Sequence, residues 1–332
     1  MSDITVVIPS YNSIATIEAA VESALSQTIP VNIIVVDDGS KDETVTKVQQ
    51  LVNQNANLTL IVQPQNRGPS AARNRAISEV KSGWIAILDA DDYMYPDRLR
   101  KMLDVGVNEQ LDIVADDLVR VPAIPQPASG TRLWADQPIG LVRMDAGMFA
   151  LENLNARTGS RRELGYLKPI IRTEFLTANA ISYNEDMRLS EDYDIYMRCL
   201  LAGARFGLID PCGYFSVDYP NSLSKEFASA DLRRVLDRDR EYLTHSGLTA
   251  EARQSISRHK MQAYKHWSWM HLIERVRERD LVGALATFAA PPEIGATLVT
   301  RIVRHALGKE PVPQSVEREA KVQPIEKILA AS

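Results

Sequence analysis

The amino-acid sequence predicts an α/β protein: a doubly wound, mostly parallel sheet with a helical C-terminal extension. Three observations carry this reading. Short apolar, β-branched runs alternate with segments of helical period through residue 115. The runs are apolar nearly throughout rather than alternating, as strands buried on both faces are. From Ala230 to Val282 the chain is rich in Arg, Glu and Leu at helical spacing, with Trp267 and Trp269 as aromatic anchors.

The elements follow in order. Residues 4–8 form a first strand, broken by Pro9-Ser10-Tyr11-Asn12, and Ile17, Ala20, Val21, Ala24 and Leu25 recur at helical spacing. Residues 31–36 form a second strand, ended by Asp37-Asp38-Gly39. Ser40 and Glu43 have the spacing of a capping box that would open a helix through about Leu51. Residues 58–62 form a third strand, Asn66-Arg67-Gly68 a turn, and Pro69 suits the first position of a helix. Residues 84–88 form a fourth strand, a helix runs from Pro96 to about Val107, and residues 113–115 form a short fifth strand. Residues 121–131 hold three prolines and read as a loop. Residues 133–182 resist assignment. Asp192 to Leu201 reads as a helix ended by Gly203, and beyond Lys309 the sequence suggests a loose tail with a short helix near residues 325–330.

Composition narrows the function classes. The 332 residues are 45% apolar and 24% charged, which is ordinary for a globular protein with a real core. The net charge of −5 gives no electrostatic reason to expect nucleic-acid binding. Two cysteines, Cys199 and Cys212, exclude a disulfide framework and fit a reducing cytoplasm. The N-terminus enters a strand directly, so no signal peptide is expected, and no apolar run approaches the ~18 residues of a membrane span.

The fourth strand is the most informative stretch. It ends in Asp89, Asp91 and Asp92, and open α/β sheets bind ligands at the carboxyl ends of their strands. Like charges this close repel unless a cation joins them. Hard oxygen ligands suit Mg²⁺ or Mn²⁺ carrying a phosphorylated ligand. The plainer alternative is a solvated acidic turn in which Asp92 helps to cap the next helix. Right-handed crossovers would open all four strand-end loops on one edge and gather Tyr11, Asp38, Arg67, Asp89 and Asp91 there.

Five motifs occur in sequence: Val6-Val-Ile-Pro-Ser-Tyr-Asn12, Val35-Val-Asp-Asp-Gly-Ser40, Asn66-Arg-Gly68 with Ala72-Arg-Asn74, Leu88-Asp-Ala-Asp-Asp92 and Ser190-Glu-Asp-Tyr193. In this order they resemble the family 2 inverting glycosyltransferases of bacterial polysaccharide biosynthesis, over roughly residues 3–215. The resemblance implies a GT-A fold, a UDP-sugar donor, a divalent metal (Mn²⁺ or Mg²⁺) and a hydroxyl-bearing saccharide acceptor that could be lipid-linked. It also implies the division of the chain. Residues 1–115 would be the nucleotide-sugar-binding half, 116–225 the acceptor-binding half, 226–309 a helical region and 310–332 the tail.

The same resemblance implies roles. Pro9, Tyr11 and Asp38 would line the uridine; Tyr11 can stack on a base and Asp38 can accept from a pyrimidine imide N–H. The alternative for Asp37 and Asp38 is turn formation. Arg67 and Arg73, near a helix N-terminus, could face the diphosphate. Asp91 matches the metal-binding acid and Asp89 an acid that touches ribose or metal. Asp192 matches the general base and Glu191 its neighbour; the plainer alternative is that Glu191, Asp192 and Asp194 simply decorate a helix N-terminus. The pattern departs in one place: Tyr214 to Ser224 holds no His or Arg, leaving Asp218 or Lys225 as substitutes. The five histidines, all C-terminal, read as ordinary helix residues.

Two rivals remain at this stage, a non-catalytic nucleotide-sugar-binding module and a sugar-1-phosphate nucleotidyltransferase. The second needs an early Gly-rich, basic phosphate loop where this chain has Pro-Ser-Tyr-Asn. Residues 295–309 alternate apolar positions with Arg301, Arg304, His305 and Lys309, so this stretch could lie peripherally on an anionic membrane or pack on the catalytic part.

Overall fold

The computed structural model describes residues 3–122, 129–154, 163–217, 228–289, 291–307 and 323–330. Asp218 and Lys225 lie outside the described residues. The first elements are β1 (Ile4–Ser10), α1 (Ile17–Leu25), β2 (Val31–Asp37), α2 (Thr44–Val52), β3 (Leu58–Val62), α3 (Pro69–Ile77), β4 (Trp84–Ile87), β5 (Tyr93–Met94), α4 (Arg98–Asn108) and β6 (Ile113–Asp116). Then come β7 (Val119–Val121), β8 (Ser129–Arg132), β9 (Val142–Met144), α5 (Ala146–Glu152), β10 (Ile170–Arg172), α6 (Thr173–Ala178), α7 (Glu191–Leu201), β11 (Phe206–Ile209) and β12 (Tyr214–Val217). The last are α8 (Ser229–Tyr242), α9 (Ala250–Arg277), α10 (Leu281–Ala286), α11 (Pro292–Ala306), β13 (Gln323–Pro324) and α12 (Ile325–Leu329). The chain forms two compact units. One comprises Met1–Asp145, Glu163–Pro220 and Ala320–Ser332; the other comprises Ala146–Arg162 and Asn221–Glu319.

In the first unit an eight-stranded sheet runs β3-β2-β1-β4-β10-β6-β11-β9. Strands β1 to β4 pair in parallel, as do β6 and β11. Strand β10 inserts antiparallel between β4 and β6, and β9 closes the edge antiparallel. Ile4, Val6, Val7 and Ile8 of β1, with Ile33, Val35 and Val36 of β2, are fully buried, which is why these strands read as continuous apolar runs.

Three local expectations are corrected and one open stretch is assigned. No capping box opens α2: the Ser40 hydroxyl donates to Asp37, and Asp42 instead accepts the Thr44 N–H. The proline-rich loop is shorter than residues 121–131, because both of its ends lie in strands β7 and β8. Residues 133–182, left open by the sequence, contain β9, α5, β10 and α6. The tail is not loose throughout. Strand β13 pairs with β8, and Ile325 and Ile328 pack with Tyr93, Val119, Val121, Phe215 and Val217. Strand β13 thus joins a second, unexpected sheet, β13-β8-β7-β12-β5. Gly130 admits this docking, since a Cβ there would meet Val119 Cγ1 at 2.6 Å and Ile325 Cδ1 at 3.1 Å.

The second unit is helical, as the sequence predicts. Thr249 caps α9 by accepting the Ala252 N–H, and Asp280 caps α10 through Gly283. Leu272, Ala284, Ile294 and Leu298 form its core against Met261, Tyr264, Trp269 and Phe288. Among the described residues no helix is long and apolar enough to cross a membrane.

Candidate active site

The carboxyl ends of β1, β2 and β4 present their loops on one edge of the main sheet, and α7 begins beside the acids that follow β4. Two cations hold these acids together. Arg73, on α3, places Nη2 2.8 Å from Asp89 Oδ1 and Nη1 2.9 Å from Glu191 Oε1 and 3.6 Å from Asp192. Lys168, just before β10, places Nζ 3.0 Å from Asp89 Oδ2 and 2.6 Å from Asp192 Oδ2. Both cations are buried. Strand-end acid and helix-start acids, about a hundred residues apart in sequence, therefore form one ion network.

The network sets the electrostatics. Burial alone would raise the Asp89 carboxyl, but Lys168 and Arg73 pull it well below its usual range. Burial would push the Lys168 ammonium down; Asp192 and Asp89 reverse this and hold it above its ordinary value. Glu191 is raised by burial and then by the Asp192 charge, with Arg73 opposing. Asp91 is different. Burial, and then the Asp89 charge, push its carboxyl up to about 6, and among the described residues it forms no ion pair.

Asp192 has one further property. Its Oδ2 belongs to Lys168, whereas its buried Oδ1, 3.6 Å from Arg73 Nη1, accepts no hydrogen bond among the described residues. Ser190, immediately before α7, has the left-handed φ of 61°. That conformation is uncommon outside glycine and clusters at functional sites. Asp194, the third acid of this turn, is fully buried and pairs with Arg198 one turn on, a structural role.

The remaining predicted residues occupy other places. Tyr11 follows β1 and is 43% exposed, and Pro9 is half-buried. Asp38 is buried and holds its own surroundings. It accepts the backbone N–H groups of Arg67 (2.9 Å) and Gly68 (2.7 Å) and the Gln63 amide (3.2 Å). Asp37 accepts both the N–H and the hydroxyl of Ser40, the turn role. Gly39 between them has φ 74°, and a Cβ there would meet the Gln65 carbonyl carbon at 2.8 Å. Arg67 pairs with Glu185 at 2.6 Å on the surface. Arg73, the other candidate for the diphosphate, places its Nη atoms against three carboxylates. Asp92 does not cap a helix. It is buried, accepts from Tyr214 Oη (2.8 Å) and the Val217 N–H (2.9 Å), and ties the acid loop to β12.

Both oxygens of Asp89 face cations, and no group of three or more His, Cys, Asp or Glu among the described residues could hold a metal. Asp91 remains as a hard, uncompensated oxygen donor. That fits a Mg²⁺- or Mn²⁺-type cation, which takes one or two carboxylates and completes its shell with phosphate oxygens and water.

Comparison with known proteins bears on this geometry. The family model for glycosyl transferase family 2 matches residues 5–147. The succinoglycan biosynthesis protein ExoU of Rhizobium meliloti (strain 1021) is 31% identical over 334 residues, 99% of this chain and 96% of that protein. The chain belongs to glycosyl transferase family 2. ExoO of the same organism is 31% identical over 87% of this chain and 82% of its own length. Among solved structures, S. aureus TarS 1-349 in complex with UDP superposes with a TM-score of 0.64 at 19% identity, covering 97% of this chain and 96% of that one. A mannosyltransferase from Pyrobaculum calidifontis in complex with GDP-Man and Mn²⁺ gives 0.54 at 16%, covering 93% and 88%. These likenesses establish the GT-A architecture of the glycosyltransferase.

The family model ends at residue 147, before Lys168 and the α7 acids, whereas the similarity to ExoU runs through both. Sequence reasoning missed Lys168. One signal was available: a lone lysine in Tyr166-Leu-Lys-Pro-Ile-Ile171, an otherwise apolar run whose other members Leu167, Ile170 and Ile171 are all buried. A charge amid such neighbours is expected to be paired.

Proposed function

We propose that this glycosyltransferase is metal-assisted and inverting, and that it moves a hexose from a UDP-sugar to a hydroxyl of a saccharide acceptor in polysaccharide assembly. The observation that carries the mechanism is the Asp192 carboxylate. One oxygen is anchored by Lys168, and the other, buried beside the strand-end acids and 3.6 Å from Arg73 Nη1, accepts no hydrogen bond among the described residues. An inverting transfer needs one such base. The acceptor oxygen attacks the anomeric carbon, its proton passes to Asp192 Oδ1, and the bond to UDP breaks with the electron pair leaving on the diphosphate. Arg73 fixes Glu191 beside this base, where its carboxylate can contact donor sugar or acceptor. Asp91 would hold a divalent cation, which when bound supplies positive charge for the leaving diphosphate. Tyr11 offers a face to the nucleobase. The choice of UDP is supported by the UDP and UDP-GlcNAc complexes of TarS, and the polysaccharide setting by the succinoglycan role of ExoU and ExoO. A lipid-linked acceptor is compatible with this setting.

A non-catalytic sugar-nucleotide-binding module would not require a buried carboxylate oxygen that accepts no hydrogen bond. The test is Asp192→Asn, nearly isosteric but unable to take the proton. UDP release in the presence of acceptor should fall about 10²-fold or more. UDP affinity should hold, and Glu191→Gln should cost less turnover and more substrate affinity. A dead Glu191→Gln with an active Asp192→Asn swaps the roles; two active variants remove the base from α7.

A further inference from the structure

We propose that the outward faces of α10 and α11 form a docking surface for an anionic lipid bilayer. Thirteen large apolar side chains are exposed among the described residues, and eight of them fall between Val276 and Leu307. Such clustering differs from the scattered single exposures normal on a monomer. On α10, Leu281, Val282 and Leu285 are 68%, 81% and 71% exposed. On α11 the inward face is defined by Ile294 and Leu298, fully buried, with Arg301 over the Trp269 ring at 5.7 Å. Val299, Ile302, Val303 and Ala306 lie away from it, at i, i+3, i+4 and i+7, and all four are exposed. This helix is therefore apolar on two separate faces, and the unit's own core covers only one of them.

Charge selects the occupant. Residues 275–307 carry five arginines against three acids, in a chain whose net charge is −5. Arg277, Arg279 and Arg304 are exposed. An apolar helix face flanked by arginines is the pattern of a segment lying in the headgroup boundary. Neither helix is long enough to span. A second copy of the chain fits less well, because a two-fold contact would set this patch against itself and bring the arginines against one another. The surface lies wholly within the helical unit and does not depend on the catalytic assignment.

The test is co-sedimentation of the full chain with vesicles of phosphatidylcholine, with and without phosphatidylglycerol. Binding is expected to the anionic vesicles and to fall steeply with salt. The triple variant Arg277→Gln/Arg279→Gln/Arg304→Gln should lower partitioning about 100-fold, at ~5-fold per arginine. Leu281→Ser/Val282→Ser/Leu285→Ser should abolish it. Transfer from soluble donor to a short soluble acceptor should be unchanged in both, which separates this proposal from the catalytic one. The proposal is overturned if the wild type ignores anionic vesicles or if either variant binds like the wild type. It is equally overturned if light scattering shows a dimer that the serine variant dissolves.

Discussion

Lys168→Met should destabilise the sheet unit by about 3 kcal/mol at neutral pH. The ammonium lies 2.6 Å from Asp192 and 3.0 Å from Asp89, with its side chain 7% exposed. Removing one partner of a buried pair costs about 3–5 kcal/mol, because a charge is left without compensation. Arg73 stays at 2.8 Å from Asp89 and 3.6 Å from Asp192, which places the cost at the lower end. For a unit of this size the melting temperature should drop about 6–12 °C, at 2–4 °C per kcal/mol. The pH dependence has a definite sign. Lys168 is raised above its ordinary value of 10.5, so its contribution is complete at neutral pH and is lost only under strongly alkaline conditions. Asp89 is lowered, so its contribution is present above 3.8 and is lost as pH falls further. The Lys168–Asp89 contact is therefore intact between pH 5 and 8. In Lys168→Met the under-compensated Asp89 takes up a proton more readily, so the deficit should shrink between pH 7.5 and pH 5. Differential scanning calorimetry of both proteins at these two pH values measures it. A deficit below about 1 kcal/mol, or one equal at both pH values, would refute the claim that Lys168 neutralises this acid pair.

Asp91, raised to about 6, binds a proton in the folded state across a window where the unfolded chain does not, so without metal it should make the protein more stable as pH falls from 7 to 5. Asp117, raised by burial to about 7, adds a slope of the same sign, so the measurement is the difference between wild type and Asp91→Asn, which should be flatter. Asp91→Ala should remove most metal-dependent turnover while the protein stays folded; near-wild-type, EDTA-sensitive kinetics would exclude it as ligand. Titration calorimetry with Mn²⁺ should show UDP binding more tightly than ADP or GDP, and equal affinities would remove the uridine pocket. Ile328→Ala should cost about 2–4 kcal/mol in chemical denaturation, since the side chain is fully buried against the second sheet. An effect under 0.5 kcal/mol would mean that the C-terminal segment is not docked.

What the sequence disclosed and what it withheld have a common physical cause. Strands β1, β2 and β4 are legible because they are buried on both faces, and β3, at the sheet edge, because it continues the local pattern in which apolar run, turn and helix recur. Strand β10 is not legible. It is three residues long, enters the sheet antiparallel between β4 and β6, and its only local mark is Ile170-Ile171. The second sheet is hidden for the same reason, since β5 and β13 have two residues each and gain their identity from distant partners. The site divides along this line. Asp89, Asp91 and Asp92 end a legible strand, and Glu191 and Asp192 open a legible helix. Lys168, which joins the two groups, lies next to the illegible strand. Its carbonyl accepts from Arg98, which is itself paired with Asp116 at 2.7 Å in the fully buried interior. Arg98 also lies over the Tyr214 ring at 4.8 Å, and Tyr214 holds Asp92. One buried arginine therefore supports both Lys168 and the acid loop. Its position in sequence, at the start of an ordinary amphipathic helix, gives no sign of that role, because the role exists only once β6, β10 and β12 have assembled around it.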